Sequence, residues 1–159
     1  MNTWDLNDLY KGFDETYEKD IEKFNHLMDD YIKHIKSTDL DEVTYIEGYL
    51  KYDEEVTKIA RTLYSFAMLT MSTDVTNQVA PGYMAKLQSI SRKATAEDVL
   101  FTRYLEDKDL DALASKSELI KKYLYFLQKL QKEAKHMLSE QEEVLYAKLR
   151  ELASGSWGQ

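Results

Sequence analysis

"DETYEKDIEKFNHLMDDYIKHI", Asp14–Ile35, decides the fold class. Tyr17, Ile21, Phe24, Met28, Tyr31, Ile32 and Ile35 recur at steps of three and four, which stacks them on one helical face. Lys19, Glu22, Lys23, Asp29 and Lys33 occupy much of the opposite side. Asp14 stands where an N-cap belongs, its carboxylate able to accept from the orphan amides of the next turn. The segment predicts an amphipathic helix, and the rest of the chain repeats that grammar.

Downstream, "STDLDEV" (37–43) interrupts the pattern, with Asp39 as the expected cap of a second helix and Glu42 as its capping-box partner. This helix is expected to be long, reaching about Met71. Its first half carries a stripe of Tyr45, Tyr49 and Tyr52. Its second half, "IARTLYSFAMLTM" (59–71), is apolar on most sides and is the expected centre of the bundle. In "STDVTNQVAPGYM" (72–84), Asp74 or Thr76 is the expected cap of a third helix, with Pro81 in or just after its first turn. That helix uses Met84, Leu87, Ile90, Ala94, Val99, Phe101 and Leu105, with a bend expected near "KATAED" (93–98). "EDKDLDALASKS" (106–117) is a polar interlude with room for a turn of helix. Ser117 then caps a fourth helix using Ile120, Leu124, Phe126, Leu127 and Leu130. Ser139 with Glu142 begins a fifth, lined by Leu145, Leu149 and Leu152 and ended by Gly155. The expected fold is all-α: about five helices, largely antiparallel, with a long second helix, in one lobe spanning 1–159.

Composition narrows the function. The 159 residues have 43% hydrophobic and 31% charged content, so the chain has enough apolar side chains for a core. A net charge of −8 disfavours nucleic acid and anionic membranes as partners. No apolar run reaches the roughly 20 residues of a membrane span, and the N-terminus is unlike a secretory signal. The absence of cysteine removes disulfides and thiolate metal sites, which suits the cytoplasm.

Chemical motifs are sparse. His26, Asp30 and His34 stand at i, i+4 and i+8, but the triad spans about 12 Å of helical rise, too far for one ion. It reads as a solvated edge. Acidic "DLDE" (39–42) and "SEQEE" (139–143) sit at helix starts, where the macrodipole favours negative charge, and they lack the spacing and mid-loop glycine of a calcium loop. No glycine-rich phosphate cradle or nucleophile elbow is present. The Tyr45–Tyr49–Tyr52 stripe suits a ligand groove, but packing is the simpler reading. No catalytic, cofactor-binding or metal residue is singled out.

Four segments carry a resemblance. "WDLNDLY" (4–10), "LYSFAMLTMSTDVTN" (63–77), "KHMLSEQEEVLYAKL" (135–149) and "ASGSWG" (153–158) resemble, in order, the N-terminal region of the oligoendopeptidase F family of zinc metallopeptidases. The resemblance implies a larger parent, in which a helical lobe faces a catalytic lobe across a channel that admits short peptides. It implies zinc in that catalytic lobe, held by HExxH and a downstream Glu, with the motif Glu activating water. None of this maps onto the present chain; His136, in "AKHMLSE", lacks the second His and the intervening Glu. The chain is therefore expected to be the lobe without the active site, a wall of the peptide channel. Trp157 is expected to belong to the start of a continuation that covers it. Expected partners are the missing catalytic lobe, short peptides in the parent, and a second copy bound through an exposed apolar face on helices two and five. The alternative is a self-contained acidic helical module that binds a basic or amphipathic partner.

Overall fold

α1, Glu15–Ile35, starts as its sequence requires: the Asp14 carboxylate accepts from the amides of Thr16 and Tyr17. Its apolar stripe is buried from Tyr17 to Ile35. A computed structural model describes residue 6 and residues 8–74 and 76–137. Trp4, the fifth helix over 139–155 and Trp157 lie outside the described residues.

α2, Glu42–Thr73, is the long second helix, and its cap corrects the expectation. Asp41, not Asp39, accepts from the amides of Val43 and Thr44. Both aspartates fit the pattern locally, but capping needs an extended residue directly before the first turn, and Asp41 occupies it. α3, Ala80–Arg92, has Pro81 in its first turn, so the ring replaces an amide that would be orphaned anyway. Neither Asp74 nor Thr76 caps it. Asn77 instead accepts from the amides of Val79 and Ala80, while Asp74 holds Thr76.

The expected third helix is two helices, α3 and α4 (Thr95–Tyr104), separated at Lys93–Ala94 inside the anticipated bend. The polar interlude contains α5, Leu110–Ala114, capped by Asp109. The expected fourth helix also divides, into α6 (Glu118–Lys122) and α7 (Leu124–Ala134), at Tyr123. No glycine or proline marks that break. Tyr123 and Lys122 both reach Glu54 of α2, while Leu127 is fully buried in the core.

Ser117 caps α6 as expected, its hydroxyl accepting from the Ile120 amide at 3.2 Å and donating to Glu47 Oε1 at 2.6 Å. Ser117→Ala loses both bonds at a buried position and is expected to lower stability by about 1–2 kcal/mol in urea unfolding. A change within about 0.5 kcal/mol, the range of ordinary surface substitutions, would show that the cap is idle.

Side-chain ties define the packing. Tyr17 donates to the Leu63 carbonyl, and Tyr45 donates to the Ile35 carbonyl, so α1 and α2 run antiparallel. Tyr83 and Lys86 meet Glu18, Lys93 meets Asn25 and Asp29, and Lys36 meets Glu97. α3 and α4 therefore follow α1 in the same direction and oppose α2. α6 runs with the first half of α2, tied through Glu47 and Glu54. Gln131 of α7 donates to the carbonyls of Leu105 and Lys108 and secures the turn after α4.

The core has two aromatic foci. Tyr10, Phe13, Tyr17, Phe66 and Tyr83 form the first, mostly edge to face. Phe101, Tyr45, Tyr49 and Tyr104 form the second. The 59–71 segment is buried only at Leu63, Phe66 and Ala67, a single i, i+3, i+4 stripe, while Met68 remains 59% exposed. The segment therefore enters the core through one stripe rather than on most sides, because α1 and α3 cover only one of its faces.

Candidate functional site

Each helix places its expected chemistry differently from a linear reading. His26 and Asp30 are exposed on α1. His34 is not: its ring stacks on Tyr45, lies against Tyr52, and its Nε2 is 2.8 Å from the Tyr45 carbonyl oxygen. The solvated edge expected for the three residues therefore ends before His34, which seals the α1–α2 crossing. Among the described residues, no three His, Cys, Asp or Glu side chains converge as a metal-binding set.

The tyrosine stripe packs rather than lining a groove. Tyr45 and Tyr49 are buried and Tyr52 is half-buried. Burial pushes the Tyr45 and Tyr49 phenols up, so both remain neutral hydrogen-bonding groups at any ordinary pH.

A cleft of about 370 Å³ opens where α1, α2 and the α3–α4 junction meet. Phe24, Met28 and Tyr31 give it an apolar wall, and Asp53, Arg61 and Asp98 give it charge. Asp53, Thr57 and Arg61 also border an adjoining depression that ends at Tyr123. One face of α2 is thus the shared floor of both. Tyr31 donates its hydroxyl to Asp98. Burial, then the charge of Asp98, pushes the Asp53 carboxyl up. Burial also pushes Asp98 up, against the lowering effect of the Tyr31 hydrogen bond. Asp98 keeps much of its surface in water, which limits the effect of burial on its carboxyl.

Sequence reading singled out neither aspartate. Asp53 follows Tyr49 by four residues, so it shares the face of the tyrosine stripe, and that was the available signal. Asp98 sits in the first turn of α4, where the helix dipole alone accounts for an acidic residue.

The model of the Oligopeptidase F family matches residues 104–159. Oligopeptidase PepF of Bacillus subtilis (strain 168) is 27% identical over 158 residues, which is 98% of this chain and 23% of that protein. The chain is thus similar to the oligopeptidase F family, through its last third by the family model and along nearly its whole length by the relative. It spans about a quarter of the length of the curated relative it matches. No solved structure matches the chain. The described part of the family match, 104–137, contains α5, α6, α7 and the turn that Gln131 holds. The cleft lies outside the stretch that the family model matches, since its lining residues run from Phe24 to Asp98. Among the described residues, no helix is long and apolar enough to cross a membrane.

Proposed function

We propose that this chain is the N-terminal helical lobe of an oligoendopeptidase F-like zinc peptidase that hydrolyses short peptides. The lobe forms one wall of the peptide channel and has no active site of its own. Zinc binding and water activation fall to a catalytic lobe outside this chain, and the protein works in the cytoplasm. The observation that carries the reading is similarity over 98% of the chain to a peptidase of which the chain spans only 23%. Surface chemistry supports it. Met68, Val79, Leu100 and Tyr125 are all more than half exposed, and a second lobe would give such side chains cover. On α2, the exposed Met68 and Met71 are the side chains through which the isolated lobe would self-associate.

Reading the gene past the codon for Gln159 tests the assignment, together with a fluorogenic peptide assay. The longer product is expected to encode HExxH and to cleave short peptides in a chelator-sensitive manner, while residues 1–159 with added zinc cleave none. A stop codon directly after Gln159, or chelator-sensitive cleavage by residues 1–159 alone, would overturn it.

A further inference from the structure

Between Lys116 and Met137 six lysines stand against two glutamates, in a chain whose net charge is −8. On α7 the helical spacing puts Tyr125, Lys129 and Lys132 at i, i+4 and i+7, on the face opposite the buried Leu127 and Ala134. All three are exposed, Tyr125 at 82%. Neither lysine has an ion-pair or hydrogen-bond partner among the described residues. The helix dipole accounts for Lys132 in the last turn, but not for Lys129 or Tyr125.

Beside this basic strip lies an acidic one. α7 packs against α4 and α5. Gln131 donates to the carbonyls of Leu105 and Lys108 at 2.7 and 2.8 Å, which fixes the α4–α5 turn along the flank of α7. That turn and the start of α5 expose Glu106, Asp107, Asp109 and Asp111. Lys108 pairs instead with Glu42 at 2.6 Å, which brings the exposed Asp41 and Glu42 to the same end of the bundle. Strip and turn make no ion pair with each other within one copy among the described residues, so both charges stay available.

A surface with a positive and a negative strip side by side is complementary to itself about a twofold axis that runs between them. We propose that this surface docks a second copy of the chain, Lys129 and Lys132 of each protomer facing Glu106 and Asp107 of the other. Tyr125 supplies each contact with an apolar ring carrying a polar tip. Two chains of charge −8 repel as wholes, but at about 0.1 M salt charges more than about 10 Å apart are screened. The strips in contact therefore set the sign. Exposed ion pairs are individually weak, so the dimer is weak and sensitive to salt. It is separate from the Met68 and Met71 face of α2, where association is apolar and salt does not weaken it. It does not depend on the peptidase reading.

Sedimentation velocity of the 159-residue chain tests the dimer. A Kd on the order of 100 µM is expected at about 0.1 M salt, with dissociation at about 0.5 M. Lys129→Glu/Lys132→Glu makes both strips acidic, and Glu106→Lys/Asp107→Lys reverses the turn so that both are basic. Each variant alone is expected to lose the salt-sensitive dimer. Mixed in equal amounts they should restore it, because every acidic strip then meets a basic one. Tyr125→Ala removes a ring that the fold does not bury, and should raise Kd about tenfold. If circular dichroism shows a charge-reversed variant unfolded, Tyr125→Ala carries the test, and an unchanged Kd would overturn the proposal. So would a wild-type chain that stays monomeric at about 0.1 M salt and millimolar concentration. Folded variants that dimerise as the wild type does, or a mixture that stays monomeric, would overturn it too.

Discussion

Phe101→Ala is expected to destabilise the fold by about 3–5 kcal/mol, the cost of emptying a fully packed aromatic site. Phe101 is fully buried, and its ring stacks on Tyr49 at a centroid distance of 3.4 Å with the planes 5° apart. Tyr45 and Tyr104 flank it. Phe101 joins α4 to α2, so its loss removes packing from the seam on which the cleft is built. Against a typical total of about 5–15 kcal/mol, this loss leaves a marginal protein. At roughly 2–4 °C per kcal/mol, the thermal midpoint should fall by on the order of 10 °C. Urea unfolding with an unchanged slope is the measurement of choice. A loss below about 1 kcal/mol would mean that the Phe101 focus is not the centre of the core.

Gly48→Ala is expected to cost about 1–3 kcal/mol, although alanine is the better helix former by about 1 kcal/mol. A Cβ at position 48 overlaps the His34 ring, where α1 and α2 cross. Gly48 has ordinary helical geometry with negative φ, so the reason for glycine is the close neighbour and not the backbone angle. To admit the methyl, His34 must leave Tyr45, losing both the stacked ring and the bond to the Tyr45 carbonyl. The double variant Gly48→Ala/His34→Ala isolates the clash. It should be more stable than the sum of the two single losses, because removing the ring creates the space that the methyl needs. Strict additivity would sink this account of the crossing.

These two residues show what a linear reading conveys and what it conceals. Phe101 is visible in the sequence as an apolar position at helical spacing. Its partners Tyr45 and Tyr49 are visible as a stripe on another helix. That the three rings meet is not visible, because nothing local sets which stripe faces which. Gly48 reads as a weak point in a long helix until His34 is placed above it. His34 itself reads as part of a solvated edge until α2 crosses over it.

The helix breaks divide in the same way. Pro81 and the Ser117 cap are legible because they act through the backbone within one turn. The change from Asp39 to Asp41 was not, since two acidic residues two positions apart satisfy the same local rule. The Tyr123 break has no local signal; Glu54, far away in the chain, draws Tyr123 and Lys122 together. The cleft was the least legible feature. Asp53 and Asp98 belong to different helices, and each has a sufficient explanation alone.

By itself, then, the chain of residues determined an all-helical protein, the faces its longer helices bury, and the family resemblance that places it. Those properties arise from backbone hydrogen bonding and side-chain spacing within a few turns, so they are written locally. Only the tertiary structure decided where helices break without a breaker, which glycine must stay small, and which two carboxylates share a cleft. Those depend on pair distances between segments remote in sequence, and only packing the apolar stripes together sets such distances.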